Sequence, residues 1–394
     1  MRKQASIVGT FVLLLVASAC AWSLLAQTVA KPPQNTAKPA MAKIDPSKAM
    51  PPKAIPTFSA ENLARTGFFY AGGEYVGEKG KEVMDGAMYT EVWVPKNIRH
   101  PYPIVFYHGA GQTGTDWLQT PDGRPGWAYY LIDQGYVLYM LDYPTRGRSA
   151  YNPTLGPDGK PVDGTMTIRT GPNLETIWTD SKSCGGRECQ PGQAHTQWPG
   201  PGTMGDPVFD TFVRGQVQFT NTSTALAAKA SLSLLDTIGT PVILLTHSQG
   251  GGVGWEVADQ RPNLVRAIVT VEPGGGVNRQ MLKYDPPIKA TDIKTYNESK
   301  ADHPGENVCP LQMEPVHKLV NFENLPVLDL SGDGGYHRAG DSCSPKWINQ
   351  AGGHVDFVRL EDVGIKGNGH EMFLEKNSDV IIKFIDDWMN KNIK

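Results

Sequence analysis

The apolar run Val242-Ile243-Leu244-Leu245 leads through Thr246 and His247 into Ser248, and Gln249-Gly250-Gly251-Gly252 follow without a break. A run this short and this apolar fits a strand buried on both faces of a sheet. The stretch from Gly251 to Gln260 has helical periodicity and predicts a helix directly behind it. Strand, sharp turn and helix in succession place a serine hydroxyl at the end of a sheet, above a helix N-terminus. Small flanking residues are what such a tight, strained elbow requires. Thr246 stands where the commoner pattern has glycine two residues before the serine. A glycine-rich strand-to-helix turn without a nucleophile is the plainer reading of the same residues.

The rest of the body repeats this alternation. Short apolar runs at Ile104–Tyr107, Tyr136–Leu141, Ala267–Val271 and Val327–Leu330 read as buried strands. Met88–Val94 and Val355–Leu360 alternate as half-exposed ones, the latter nearer an edge. Helical stretches at Trp127–Gln134, Phe219–Ile238 and Asp379–Asn390 lie between or after them. Strands separated by helices predict an α/β fold with a mainly parallel central sheet, flanked by helices and joined by right-handed crossovers. Two stretches interrupt the pattern, at about 144–214 and 273–324, and insertions of that length in a compact domain are commonly lids or binding loops. Trp178, Trp198 and Phe209 predict that the first insertion is packed down.

Ahead of this body, Arg2 and Lys3, the apolar run Ile7–Val16 and the small residues Ala17-Ser18-Ala19 have the layout of a secretory signal over residues 1–19. Cys20 follows, the position acylated in lipoproteins, which would attach the chain to a membrane; Ala17 stands where that signal usually has leucine. Residues 20–57, rich in Pro, Ala and Lys, read as an extended tether, leaving 58–394 as the catalytic domain. Residues 1–57 hold seven basic residues against one acid, whereas the whole chain has a net charge of -3, so the body is acidic. That balance disfavours a nucleic-acid partner. Forty-three glycines and thirty-one prolines rule out a helical bundle or coiled coil. An exported body favours bridged cysteines, and Cys184–Cys189 with Cys309–Cys343 is the expected pairing, all four placed in loop-like sequence.

A serine nucleophile needs a base, and nine histidines are available. His247 adjoins Ser248 and is expected to point into the sheet and pack the elbow. His108 follows an early strand in Tyr107-His108-Gly109-Ala110-Gly111-Gln112. His100, His195, His303, His317, His337 and His354 fall in loops or beside turns and read as structural or surface residues. His370 comes after the Val355–Leu360 strand and a glycine-rich loop, just before the last helix, so chain order runs Ser, acid, His. The acid that orients its imidazole is either Glu272, ending the Ala267–Val271 strand, or Asp333, ending the next one. Spacing alone leaves both open. An oxyanion formed in acyl transfer needs backbone donors: the Gln249 amide opens the helix, and the turn after Tyr107 supplies the other, Ala110 before Gly111. Neither a metal nor an organic cofactor is called for by these residues.

Together the segments resemble the α/β-hydrolase superfamily, and more closely the 713-type bacterial esterases. The matching residues are Tyr107-His108-Gly109, Thr246-His247-Ser248-Gln249-Gly250, Val271-Glu272-Pro273 and Gly367-Asn368-Gly369-His370 with Leu374-Glu375-Lys376-Asn377 behind it. The resemblance runs over about residues 65–394 and is loosest in the first insertion. It implies a triad of Ser248, His370 and Glu272, with Ala110 and Gln249 as oxyanion donors. It also implies hydrolysis of a small-molecule carboxylic ester through an acyl-enzyme. Members of that family can carry cysteines where this chain has Ala110-Gly111. Lactone, amide or peptide hydrolysis on the same triad, and a non-catalytic binding lipoprotein of the same fold, are the competing functions.

Overall fold

In Ile104–Tyr107 the side chains alternate between two cores: Ile104 and Phe106 pack on one face, Val105 and Tyr107 on the other. Such a strand must lie inside a sheet covered on both sides, and the whole chain is built around that requirement. The computed structural model describes residues 49–151, 166–220, 222–277 and 282–394. The signal-like leader, Cys20 and most of the tether lie outside the described residues; residues 49–57 are exposed.

In chain order the elements are β1 (Leu63–Val76), β2 (Val83–Pro95), β3 (Ile104–Tyr107), α1 (Trp127–Gln134), β4 (Leu138–Asp142), α2 (Gly171–Leu174), α3 (Pro207–Arg214) and α4 (Ser223–Ile238). There follow β5 (Val242–His247), α5 (Gln249–Gln260), β6 (Val265–Val271), β7 (Tyr284–Asp285), β8 (Thr295–Asn297), β9 (Pro310–Gln312) and β10 (Lys318–Leu319). Last come β11 (Pro326–Ser331), α6 (Cys343–Gln350), β12 (His354–Arg359) and α7 (Ser378–Asn392). Eight strands form one sheet in the order β1-β2-β4-β3-β5-β6-β11-β12. The six from β4 to β12 run parallel, and β1 and β2 join antiparallel at one side. β12 is the opposite edge. In the second insertion β7 pairs with β10, and β8 with β9, as two small ribbons.

One core holds Leu244 and Ile268 of the sheet with Leu234 of α4, Trp255 of α5 and Trp347 of α6. The other holds Leu245, Val269 and Leu330 with Leu131 of α1 and Ile381 and Ile385 of α7. Trp178, Trp198, Phe209 and Phe212 of the first insertion join this second core, so its described residues from 166 onward are packed onto the body.

Besides shifts of one to five residues at the ends of other elements, β2, β4, α5 and α7 among them, the structure departs from the sequence reading at three places. Helix α4 starts at Ser223 rather than Phe219, because the Phe219 backbone exchanges hydrogen bonds with Thr167 at 2.8 and 3.1 Å. Cys343 is not in a loop: it opens α6, whose Pro345 sits in the first turn, where a missing N–H costs nothing. Strand β1, with Gly72-Gly73 and mostly exposed side chains, carries no buried stripe to announce it. The cysteines of the body pair as Cys184–Cys189 and Cys309–Cys343. Among the described residues no helix is long and apolar enough to cross a membrane.

Candidate active site

β5 runs straight into α5 through Ser248, which adopts φ 50° and ψ -119°. An L-residue occupies that region at a cost of order 1–3 kcal/mol, so the surroundings must enforce it. Here they do: the Ser248 N–H donates to the Val271 carbonyl at 3.1 Å, and its own carbonyl accepts from Gly251 at 2.9 Å and Gly274 at 2.6 Å. The unusual Thr246 is accommodated by Gly254, where a β-carbon would come within 2.9 Å of Thr246 Cγ2. Its hydroxyl is buried and donates to Thr270 Oγ1 at 2.8 Å.

Glu272 is a second strained residue, with φ 41°, directly after β6. That turn delivers its carboxylate to His370, whose Nδ1 donates to Glu272 Oε2 at 2.7 Å. The N–H groups of Gly332 and His337 also donate to this carboxylate, at 3.0 and 3.3 Å. Burial by itself would raise the Glu272 carboxyl, but the bond and charge of His370 and the Gly332 N–H outweigh it and hold the group below its usual range. Gly335 makes this close approach feasible: a β-carbon there would fall 1.5 Å from Glu272 Oε1. The other ring nitrogen, His370 Nε2, is buried and makes no hydrogen bond. The His370 ring lies 4.5 Å, centroid to centroid, from that of His247, the residue preceding Ser248.

The loop carrying His370 is pinned from three sides. Asp333 Oδ1 accepts from the Gly367 and Asn368 amides at 2.8 and 3.0 Å. Glu375 accepts from the Gly369 amide at 2.8 Å and pairs with the buried His195 at 2.9 Å. The side chains of Asn368 and Asn377 exchange hydrogen bonds at 2.7 and 3.0 Å. Of the two carboxylates that spacing left open, Glu272 therefore meets the histidine and Asp333 holds its loop. Burial lifts the Asp333 carboxyl to about 6.

The turn after β3 holds Ala110 opposite the elbow. Gly109 donates its N–H to Gln112 Oε1 at 2.8 Å, and Gln112 Nε2 donates to the buried Glu371 at 2.6 Å. The Gly109 carbonyl, in the same peptide unit as the Ala110 N–H, accepts from Arg146 Nη1 at 3.0 Å and lies 3.0 Å from His108 Nδ1. His108 Nε2 accepts from the Tyr143 N–H at 3.1 Å, so Nδ1 carries the ring proton. Burial and then the Arg146 charge push His108 down to about 3, which keeps it neutral. Arg146 Nη2 meanwhile donates to Gln249 Oε1 at 2.6 Å and Ser223 Oγ at 2.7 Å. One buried guanidinium thus joins the two segments from which the expected oxyanion donors come. The Gln249 amide stands first in α5, where a helix N–H has no carbonyl one turn back to bind.

Three neighbours were not foreseen from sequence. Trp178 stacks on His370 at 5.5 Å, His337 meets it edge-on at 5.0 Å, and Arg146 makes the link just described. His337, read as structural or surface, is pushed down to about 4 by burial and by the charge of His370. Only the glycines ahead of it, Gly332, Gly334 and Gly335, hinted at a backbone closely approached by another group. Among the described residues one trio of metal-ligating type, His247, His370 and Glu371, brings its ligand atoms within 4.8 Å of one another. Both His247 nitrogens are already engaged, with Gln112 Oε1 at 3.1 Å and the His370 carbonyl at 3.0 Å, and His370 Nδ1 with Glu272.

No family model matches the chain. It is 39% identical over 347 residues to a protein of a fungal species (strain ATCC 74256) named "Probable secreted lipase phiG", covering 83% of this chain and 90% of that protein. Among solved structures, a bacterial esterase determined at atomic resolution superposes with a TM-score of 0.61 at 22% identity, covering 86% of this chain and all of that one. The latter likeness shows the fold, and the former shows kinship: the chain belongs to the α/β-hydrolase superfamily, among its esterases and lipases, which hydrolyse carboxylic esters.

Proposed function

We propose that the protein is an exported serine hydrolase in which Ser248, His370 and Glu272 act as a triad. The observation that carries this reading is the 2.7 Å bond from His370 Nδ1 to a buried carboxylate, with Nε2 left free beside the strained Ser248 elbow. Ser248 Oγ attacks the ester carbonyl as His370 Nε2 takes its proton. The amides of Ala110 and Gln249 stabilise the oxyanion. As the tetrahedral intermediate collapses, His370 gives the proton to the leaving alcohol, and the acyl group stays on Ser248. A water, deprotonated by the same nitrogen, then releases the acid and restores the serine. Glu272 stays ionised throughout; it fixes the tautomer and stabilises the imidazolium.

Export is supported by the signal-like residues 1–19 and by the word "secreted" in the fungal relative's name. Acylation of Cys20 would attach the protein to a membrane. Ser248→Ala tests the chemistry: kcat should fall on the order of 10⁴-fold or more, with the protein still folded. Retention of most activity would remove Ser248 from its role.

A further inference from the structure

Resting on this serine ester hydrolase reading, we propose that Arg169 and Gln216 form a subsite for a carboxylate on the substrate, so that the preferred esters carry a negative charge beside the scissile bond. Arg169 comes from the first insertion and Gln216 from just after its end, and both converge on the oxyanion turn. A β-carbon at Gly111, the residue after Ala110, would lie 3.0 Å from Gln216 Oε1 and 3.4 Å from Arg169 Cγ. Arg169 places its guanidinium 5.1 Å from the ring centroid of Trp178, which itself stacks on His370. The subsite therefore adjoins both the oxyanion turn and the base.

Several polar atoms gathered there have no hydrogen-bond partner among the described residues. Gln216 Oε1 and Nε2, Arg169 Nε and Trp178 Nε1 are all buried without a hydrogen bond. Leaving a buried donor unpaired costs about 1–3 kcal/mol, and more for a charged one. Arg169 makes one polar contact, from Nη1 to Asn173 Oδ1 at 3.2 Å, and among the described residues no carboxylate neutralises it. Arg146, buried behind the same turn, likewise has only neutral acceptors among the described residues, so two guanidinium groups that no described carboxylate pairs flank the site. Gln216 and Arg146 also line a cleft of about 660 Å³.

A guanidinium, a side-chain amide and an indole N–H together supply N–H donors around one cation. A carboxylate, acceptor-only when ionised, matches the three donors Arg169 Nε, Gln216 Nε2 and Trp178 Nε1, while Gln216 Oε1 takes no part in holding it. A neutral acyl chain would leave Arg169 Nε, Gln216 Nε2 and Trp178 Nε1 unpaired.

The test compares two esters with one leaving group, the mono-4-nitrophenyl ester of glutaric acid and 4-nitrophenyl pentanoate, in the same protein samples. The wild-type protein should favour the charged ester in kcat/KM by at least about tenfold. Arg169→Gln should abolish that preference, bringing the ratio of the two kcat/KM values to about one, and Arg169→Glu should reverse it. Gln216→Leu should weaken it. The neutral ester reports folding, so a ratio unchanged in Arg169→Gln overturns the subsite, as does a wild-type preference for pentanoate. Activity on both esters that survives Ser248→Ala would instead overturn the serine hydrolase reading beneath it.

Discussion

Trp178 and His370, 192 positions apart in the chain, lie face to face with ring centroids 5.5 Å apart and planes inclined by 28°. One wall of the imidazole is thus supplied by the first insertion, and the buried Trp178 also packs edge-on against Phe212. Replacing it with alanine should lower stability by about 3–5 kcal/mol. On a neutral ester kcat/KM should fall roughly tenfold as the ring loses its support. Trp178→Phe should restore most of both. Melting curves and steady-state kinetics on the three proteins check this.

Glu272 and Asp333 make opposite predictions. Glu272→Gln removes the charge that holds the His370 tautomer, and kcat should fall on the order of 10⁴-fold. Asp333→Asn keeps an oxygen able to accept from Gly367 and Asn368, so kcat should stay within about tenfold of wild type. Kinetics of the two variants, measured side by side, decide between the two carboxylates; a severe loss confined to Asp333→Asn would reverse their assignment.

Arg146 should reveal itself as a positioning residue. Arg146→Met frees both the Gly109 peptide and the Gln249 side chain, and kcat should fall about 10- to 100-fold with KM nearly unchanged. Arg146→Lys should recover part of the loss. A boronic acid that forms a tetrahedral adduct should lose affinity in parallel with kcat. Equal affinity in both proteins would confine Arg146 to a purely structural role.

His195 provides a pH signature in stability. Burial would lower its pKa, but the hydrogen bond and charge of Glu375 outweigh this and raise it. A folded pKa above the unfolded value means the contribution is fully present below about pH 6.5 and is lost as pH rises through the folded value. The Tm difference between wild type and His195→Gln should therefore be largest near pH 6 and shrink toward pH 9. A difference that grows with pH would contradict the pairing.

The parts legible in the sequence are those in which one local pattern carries the information. β3, β5, β6 and β11 are apolar runs because both faces are covered, and α1 has the bounds its periodicity indicates. The elbow at Ser248 is legible because strand, small residues and helix are contiguous. Glu272 against Asp333 could not be separated by spacing, since both end strands at the same edge of the sheet; what separates them is the positive φ that turns Glu272 toward His370. Trp178, Arg146 and His337 act across long chain separations, and nothing in the residues around them encodes the partner they meet. β1 escaped because its exposed side chains and paired glycines leave no hydrophobic pattern to read.

Ser248 becomes acylated in this mechanism, and covalent labelling of the serine detects that reactivity. The protein is treated with a fluorophosphonate, its intact mass recorded, and the modified peptide sequenced by mass spectrometry. One adduct per chain on Ser248, with activity lost in proportion and no adduct in Ser248→Ala, is the predicted result. Modification of another residue, or full esterase activity in the stoichiometrically labelled protein, would contradict it.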